Sequence, residues 1–359
     1  MDSPVARTLD ELAVLAGVSR ATVSRVINGG PASEATRKRV LEVVERTGYR
    51  PNAAARTLAS GRSGVVGVVL HVEPATLFRD PYFSLLLQGL SDALSRQAVA
   101  MMLWLANRSK EETLGQILWL GLLDGAIVTA DHLQDPLVDG LLASDLPTVL
   151  IGHRRADRTA SYVDVDNIHA ADLITSHLVG LGRRRIGHIT GRRATVAGED
   201  RLTGYRRALD RAGLSGERYV VDGDFTKQSG VTGAAVLIDR GVDAIFCGND
   251  ATAAGALETI HGLGLHVPRD IALAGFDDLE FAARLEPPLT TIRQEIQQQG
   301  IEAANTLFDL LRDHNREPRR VLLPTELVIR QSTAGIVSDD QTLHGVLHAG
   351  ASPGRRKEE

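Results

Sequence analysis

The chain has 359 residues, 40 Lys/Arg against 45 Asp/Glu (formal net charge −5) and 43% hydrophobic residues, so it is long enough to need more than one core. Cys247 is the only cysteine, which excludes an intrachain disulfide and fits a reducing compartment. No apolar run reaches membrane-spanning length and the polar N-terminus lacks the apolar core of an export signal, so a cytoplasmic protein is expected, with no membrane partner. The charge is unevenly placed: residues 1–62 carry ten Arg/Lys against six Asp/Glu, and the remainder carries thirty against thirty-nine. A basic head on an acidic body suits phosphate attraction with little indiscriminate sticking.

The first 50 residues read as three short helices. Thr8 and Glu11 have the spacing of a capping box, Leu9, Leu12, Ala13 and Ala16 recur at helical spacing, and Gly17 provides a stop. Ser19 is placed to cap a second helix running to Asn28, with Val23, Val26 and Ile27 facing inward; a third runs from about 33 to 47, with Val40, Val43 and Val44 inward and Gly48 after it. Two helices joined by a short glycine-containing turn form the helix-turn-helix pattern, whose second helix presents its N-terminal side chains to DNA base edges. Those side chains are Arg20 and Ala21, with Thr22, Ser24 and Arg25 beside them. Arg20 and Arg25 are the candidate guanine readers, and Ala21 is sized for a thymine methyl. Thr22, Ser24 and Asn28 are candidates for positioning the head on phosphates, and the capping residue Ser19 is a further DNA-contacting candidate.

Residues 51–64 read as a hinge. Asn52 can cap, and Ala53, Ala54, Ala55, Leu58 and Ala59 favour helix, yet a segment of about eight residues does not hold a helix alone in water. It is therefore expected to order when two copies pack together on DNA, with Ala54 and Arg56 adding groove and phosphate contacts.

Beyond residues 61–64 the pattern changes to short apolar strands alternating with amphipathic helices. A first series of strands falls at 65–70, 101–105, 126–129 and 148–151, and a second at 162–165, 186–189, 218–221, 244–247 and 271–274. Helical stretches at 85–94, 170–181, 201–212 and 252–263 intervene. This alternation implies an α/β body of two doubly wound parallel-sheet lobes. The expected division is lobe one at about 65–160 plus 290–322 and lobe two at about 162–288 plus 323–335. In this reading 290–293 and a helix at 295–312 return to lobe one, and 322–329 crosses again. Strand ends facing the resulting cleft are where such folds bind ligands. Residues 336–359 are polar and Gly-rich with no sustained leucine heptad, and read as a disordered tail.

The head resembles the LacI/GalR family of bacterial transcription regulators in Gly17-Val18-Ser19, Thr22-Val23-Ser24-Arg25-Val26, Asn28, Gly48-Tyr49 and Pro51-Asn52. The resemblance continues through the body in Asp80-Pro81-Tyr82-Phe83, Val165-Asp166-Asn167, Arg201-Leu202-Thr203-Gly204-Tyr205 and Asn249-Asp250. Leu181-Gly182-Arg183-Arg184-Arg185-Ile186, Gly223-Asp224-Phe225, Gly275-Phe276-Asp277-Asp278, Pro287-Pro288-Leu289-Thr290-Thr291-Ile292 and Gln331-Ser332-Thr333 complete it. It implies a periplasmic-binding-protein-like body and a homodimer that binds a near-palindromic DNA operator. It puts Arg25 at a base-contacting position and makes Leu58 a minor-groove wedge. It implies that Arg201, Asn249 and Asp277 hydrogen-bond a small-molecule effector, a sugar or sugar derivative, while Tyr82, Phe83 and Phe225 cover its ring. Tyr82 and Phe83 also fit simple core positions, and Asp277 followed by Asp278 also fits a helix cap. The sequence departs from the family pattern after residue 151: Gly152 and His153 stand where several members have an acidic residue, and His153 is the candidate replacement. Arg192 and Arg193 leave a phosphorylated or acidic effector open. The absence of a P-loop, a nucleophile elbow, a dinucleotide fingerprint or metal-spaced His/Cys residues argues against an enzyme, a cofactor or a metal. The implied activity is a repressor released by a sugar-type inducer; the alternative is a repressor whose DNA binding a purine-like or phosphorylated co-repressor strengthens.

Overall fold

The computed structural model describes residues 8–27, 30–49, 62–105, 110–129, 135–153, 159–214, 219–313 and 317–334. Asn28, the hinge residues and the C-terminal tail lie outside them. The chain divides into two units between Gly64 and Val65.

The first unit contains α1 (Leu9–Ala16), α2 (Arg20–Ile27) and α3 (Glu34–Thr47). Its helix ends are set by local chemistry. Thr8 Oγ1 accepts from Glu11 N at 3.2 Å, Ser19 Oγ from Thr22 N at 3.2 Å and Ser33 Oγ from Thr36 N at 3.3 Å. Gly17 and Gly48 take φ of 63° and 62° after α1 and α3, a conformation that costs glycine little. Leu12, Ala13 and Ala16 meet Val23, Val26, Val40 and Val43 in a small core, ringed by Leu9, Val18, Ile27, Val44 and Tyr49.

In the second unit, β1 (Val65–Leu70), β2 (Ala100–Leu105), β3 (Gly125–Thr129), β4 (Thr148–Ile151), β5 (Ser161–Val165) and β11 (Arg320–Leu323) form an all-parallel sheet in the order β11-β5-β4-β3-β1-β2. This is lobe one. Successive side chains feed opposite faces: Val66, Val68, Leu70, Ile127, Val149 and Ile151 join one core, and Val69, Ala126, Val128 and Leu150 join the other. The first face is covered by α5 (Pro81–Arg96), preceded by the short α4 (Pro74–Arg79), and by α12 (Ile296–Arg312); the second by α6 (Lys110–Leu120) and α7 (Pro136–Leu142). Helices α5 and α12 touch through glycine. A Cβ on Gly89 would come within 2.0 Å of Gln297 O and one on Gly300 within 2.5 Å of Leu86 O.

Lobe two repeats the pattern with β7 (Val220–Val221), β6 (Ile186–Ile189), β8 (Ala244–Cys247) and β9 (Ala272–Ala274), parallel and in that order. Its two faces are covered by α8 (Asn167–Gly180) with α9 (Val196–Arg211), and by α10 (Lys227–Asp239) with α11 (Asp250–Gly262). A separate antiparallel pair joins β10 (Thr291–Gln294) to β12 (Thr325–Val328). The described residues include no helix long and apolar enough to cross a membrane.

Two placements correct the sequence reading. The strand at 162–165 opens no second series; as β5 it lies between β4 and β11 in lobe one. Its connection to β4, residues 152–160, is shorter than the dozen or so residues a parallel crossover ordinarily takes, and so short a link reads in the sequence as a boundary between lobes. Residues 290–293 do not enter the lobe-one sheet either. They form β10, which pairs with β12 and bridges to Ala274 and Asp277, with Ile292 packed in a lobe-two core.

Lobe two contains a buried histidine with a predictable effect on stability. His188 of β6 stacks between Tyr205 and Phe246, with ring centroids 5.0 and 4.6 Å away. Its Nδ1 donates to Phe246 O at 2.9 Å, and Nε2 is buried with no hydrogen-bond partner among the described residues. Burial lowers its pKa from 6.5 to about 4, against the pull of the Phe246 hydrogen bond; Arg201 and Arg206 add to the lowering. Because the unfolded chain binds this proton more readily, the neutral ring's stability is complete above pH 6.5 and is lost as pH falls towards 4, a loss of roughly 3 kcal/mol. Urea unfolding between pH 7 and pH 4.5 should show this loss, and His188→Phe, which keeps the stacking, should flatten it. An unchanged pH slope in the variant would contradict the assignment.

Candidate functional site

On the head, Ser19, Arg20, Ala21 and Arg25 are exposed and Thr22 and Ser24 half-buried, while Val23 and Val26 face the core. The first turn of α2 is preorganised by Ser19, whose Oγ also shares a 2.9 Å hydrogen bond with Thr22 Oγ1. Arg20 Nε lies 3.8 Å from Asp10 Oδ1, and both side chains are about 70% exposed (68% and 70%); such a pair restrains the guanidinium weakly. Beyond α2, Gly30 N donates to Arg25 O at 2.8 Å and Arg37 Nη2 donates to Gly30 O at 2.8 Å, which fixes the turn behind the helix. Asn28, Asn52, Ala54, Arg56 and Leu58 lie outside the described residues.

In the body, the candidate residues gather where the C-terminal strand ends of the two lobes meet. Arg201, on α9, is 5% exposed. Its Nε donates to Asn167 Oδ1 at 2.9 Å and its Nη1 to Gly248 O at 2.5 Å; Nη1 also lies 3.7 Å from Asp277 Oδ1. The guanidinium carbon sits 3.5 Å from the Phe276 ring centroid and 5.6 Å from that of Phe225. No hydrogen bond reaches Nη2 within the described residues, so one edge of the planar fork is held and the other is open.

Asp277 accepts from Gln294 Nε2 at 2.6 Å, and Gln294 in turn accepts from Gln299 Nε2 at 2.8 Å. Burial pushes the Asp277 carboxyl up to about 7; Arg201 pulls it down and Asp80 pushes it higher. For Arg201 the balance is reversed: burial lowers its pKa, opposed by Asp277, Tyr82, Asp164 and Asp250. Asp80 and Tyr82 thus lie near the pair from the lobe-one side. Asp80 caps α5 by accepting from Tyr82 N at 3.0 Å, and Tyr82 and Phe83 form an edge-to-face pair with centroids 5.3 Å apart. Both rings are half-buried and also pack on the lobe-one core, so the two roles expected for them coexist.

Asn249 caps α11, its Oδ1 accepting from Thr252 N at 2.9 Å, while its Nδ2 has no hydrogen bond among the described residues. Asp250, beside it, is internal: it accepts from Thr291 Oγ1 at 2.6 Å and Leu279 N at 2.8 Å. Phe225 adopts φ 70° with its ring against Gly191, where any Cβ would collide with it at 1.9 Å. His153 enters the cleft already engaged. Its Nδ1 is 2.7 Å from Asp164 Oδ2 in lobe one and its Nε2 3.5 Å from Asp200 Oδ2 in lobe two. Arg193, which had kept an anionic effector open, pairs with Glu199 at 2.8 Å and Asp222 at 3.6 Å.

Four contributors had not been singled out from the sequence: Asn167, Gln294, Phe276 and Asp80. Asn167, Phe276 and Asp80 stood inside family motifs, but nothing local distinguishes an amide that orients an arginine from one that caps a helix. Among the described residues no cluster of three or more His, Cys, Asp or Glu is arranged to hold a metal.

A helix-turn-helix head joined to a two-lobed body with a polar cleft defines a ligand-responsive DNA-binding regulator. Residues 8–52 match the family of bacterial regulatory proteins, lacI family, and residues 175–333 match a periplasmic binding protein-like domain. The HTH-type transcriptional regulator CelR of Thermobifida fusca is 39% identical over 332 residues, covering 90% of this chain and 98% of its own. Catabolite control protein A of Priestia megaterium is 32% identical, covering 91% and 99%. Among solved structures, a CelR–cellobiose complex superposes with a TM-score of 0.72 at 37% identity (91% of this chain, 100% of that one). A lac repressor dimer bound to operator and the anti-inducer ONPF superposes with a TM-score of 0.81 at 27% identity (92% and 99%). The chain belongs to the lacI family of bacterial transcriptional regulators.

Proposed function

We propose that this protein is a repressor that binds a near-palindromic operator as a homodimer and releases it when an uncharged saccharide enters the cleft. The observation that carries the reading is the Arg201–Asp277 pair: a guanidinium fixed on one edge with Nη2 open, beside a buried carboxylate. Such a donor–acceptor pair suits vicinal hydroxyls, which both donate and accept. Asn249 Nδ2 adds a donor and Phe225 an apolar face. The charge balance supports a neutral ligand: Asp80, Asp164, Asp200 and Asp277 surround Arg201 and His153, so a phosphate would be repelled. The CelR–cellobiose complex is consistent with this chemistry and makes cellobiose the first saccharide to test.

On the DNA side, Arg20 and Arg25 read guanine edges, Ala21 meets a thymine methyl, and Ser19, Thr22, Ser24 and Asn28 hold phosphates. One head covers a half-site, so twofold symmetry of the protein requires a near-palindrome. Selection of bound duplexes from a random pool, at stated salt, should enrich a single near-palindromic site with guanines in each half. Enrichment of asymmetric sites, or of none, would contradict the reading.

A further inference from the structure

Asp277 and Asp278 are consecutive non-glycine residues with positive φ, 116° and 58°. Backbone of this kind is strained and persists only where its surroundings enforce it. The surroundings here are specific. The Asp278 carboxylate, whose side chain is 7% exposed, accepts from Arg293 Nε through Oδ2 at 2.7 Å and from Arg330 Nη2 through Oδ1 at 2.6 Å. Arg293 lies on β10 and extends Nη1 to Glu326 on β12, its cross-strand partner, at 2.9 Å. Arg330 follows β12; its Nη1 donates to Leu289 O and its backbone N to Thr290 Oγ1, both at 2.8 Å. The chain passes between the lobes along β10 and β12, from lobe two into α12 of lobe one and from β11 back to lobe two. The backbone of the same turn is tied in as well, Asp277 N donating to Ile292 O at 2.8 Å.

We infer that Asp278, gripped by Arg293 and Arg330, is a positioning residue: it fixes Asp277 in its left-handed backbone and joins the effector contact to the two strands that connect the lobes. The inference rests on the reading of Asp277 as an effector contact. A carboxylate with one arginine on each oxygen makes directional, charge-assisted bonds, so a shift of Asp277 on ligand entry is passed to both strands at once.

The test begins without effector. Asp278→Asn keeps the volume and a side chain tolerant of left-handed backbone but removes the charge; Arg330→Met removes one grip with little change in length. In the full-length protein, spin labels at Glu111→Cys on α6 and His261→Cys on α11 report the distance between lobes. Cys247 is buried and stays unlabelled, and dilution with unlabelled chain suppresses signals between protomers. Pulsed dipolar spectroscopy should give a narrow interlobe distance distribution for the parent and a broader one for both variants. Arg269→Met, which removes an exposed pair with Asp270, should leave it unchanged. Superimposable distributions for parent and variants, even with a lowered unfolding temperature, would make Asp278 a stabilising residue only and overturn the inference. In a second arm with cellobiose as probe, Asp278→Asn should weaken binding about tenfold, and Asp277→Asn added to it should cost little more, because both act through one contact. Full additivity there would also overturn it. If cellobiose fails to bind the parent, the ligand proposed above is wrong and the ligand-free arm still decides.

Discussion

Replacing Arg201 by alanine should abolish the response to effector while leaving operator binding intact. The guanidinium is placed to donate into the cleft from a fixed position, held by Asn167 and Gly248 O and laid against Phe276. A charged hydrogen bond of this kind is worth roughly 1.5–3 kcal/mol, so effector affinity should fall by one to two orders of magnitude. The loss does not unfold the body. With Arg201 gone, burial drives Asp277 further above its value of about 7, and it takes up a proton rather than remaining as an unpaired buried charge. Effector binding by calorimetry and operator binding by fluorescence anisotropy, on the same preparation, separate the two effects. Equal loss of both would place Arg201 in general stability rather than in effector contact.

The second large effect is expected at the other end of the molecule. Leu58→Ala should weaken operator binding on the order of 100-fold and leave effector affinity unchanged. Leu58 lies outside the described residues, so the expectation rests on sequence and family. It is an apolar side chain among alanines in a segment too short to hold a helix alone, and the family resemblance makes it the wedge expected to enter the minor groove when two hinges pair. Such wedges offset an unstacking cost of a few kcal/mol by the bent duplex they stabilise; without the wedge that gain is lost. The salt dependence should change little, because no phosphate contact is removed. A large change in the salt slope would mean that the hinge acts through its charges instead.

What was legible in the sequence is what short-range chemistry dictates. Thr8 and Ser19 cap the helices that follow them because a hydroxyl needs only the amide three residues on. The alternation of Val66, Val68 and Leu70 with Val69 gives β1 two buried faces because strand geometry has period two. The place of β5 was not legible, since sheet partners are chosen over long separations and the short link from β4 leaves too little sequence for the pattern of a crossover helix. In the cleft, Arg201 and Asp277 were legible from motif, but Asn167 and Gln294, which aim them, were not. Their partners stand 34 and 17 residues away, and an amide carries no mark of what it will bind. His153 shows the same limit: the residue stood out by departing from the family pattern, yet its pairing with Asp164 and Asp200 appears only once the lobes are assembled.

The measurement closest to the central claim is operator affinity of the purified protein, titrated in parallel with cellobiose, other neutral saccharides, sugar phosphates and nucleobases. An effector acts only through its differential affinity for the DNA-competent and DNA-incompetent states, and such coupling is typically about 1–3 kcal/mol. A neutral saccharide should weaken operator binding roughly 5- to 150-fold, phosphorylated sugars should not, and Arg201→Ala should remove the effect. Tighter operator binding in the presence of a purine or a phosphorylated metabolite, with no response to any neutral saccharide, would contradict the proposed function.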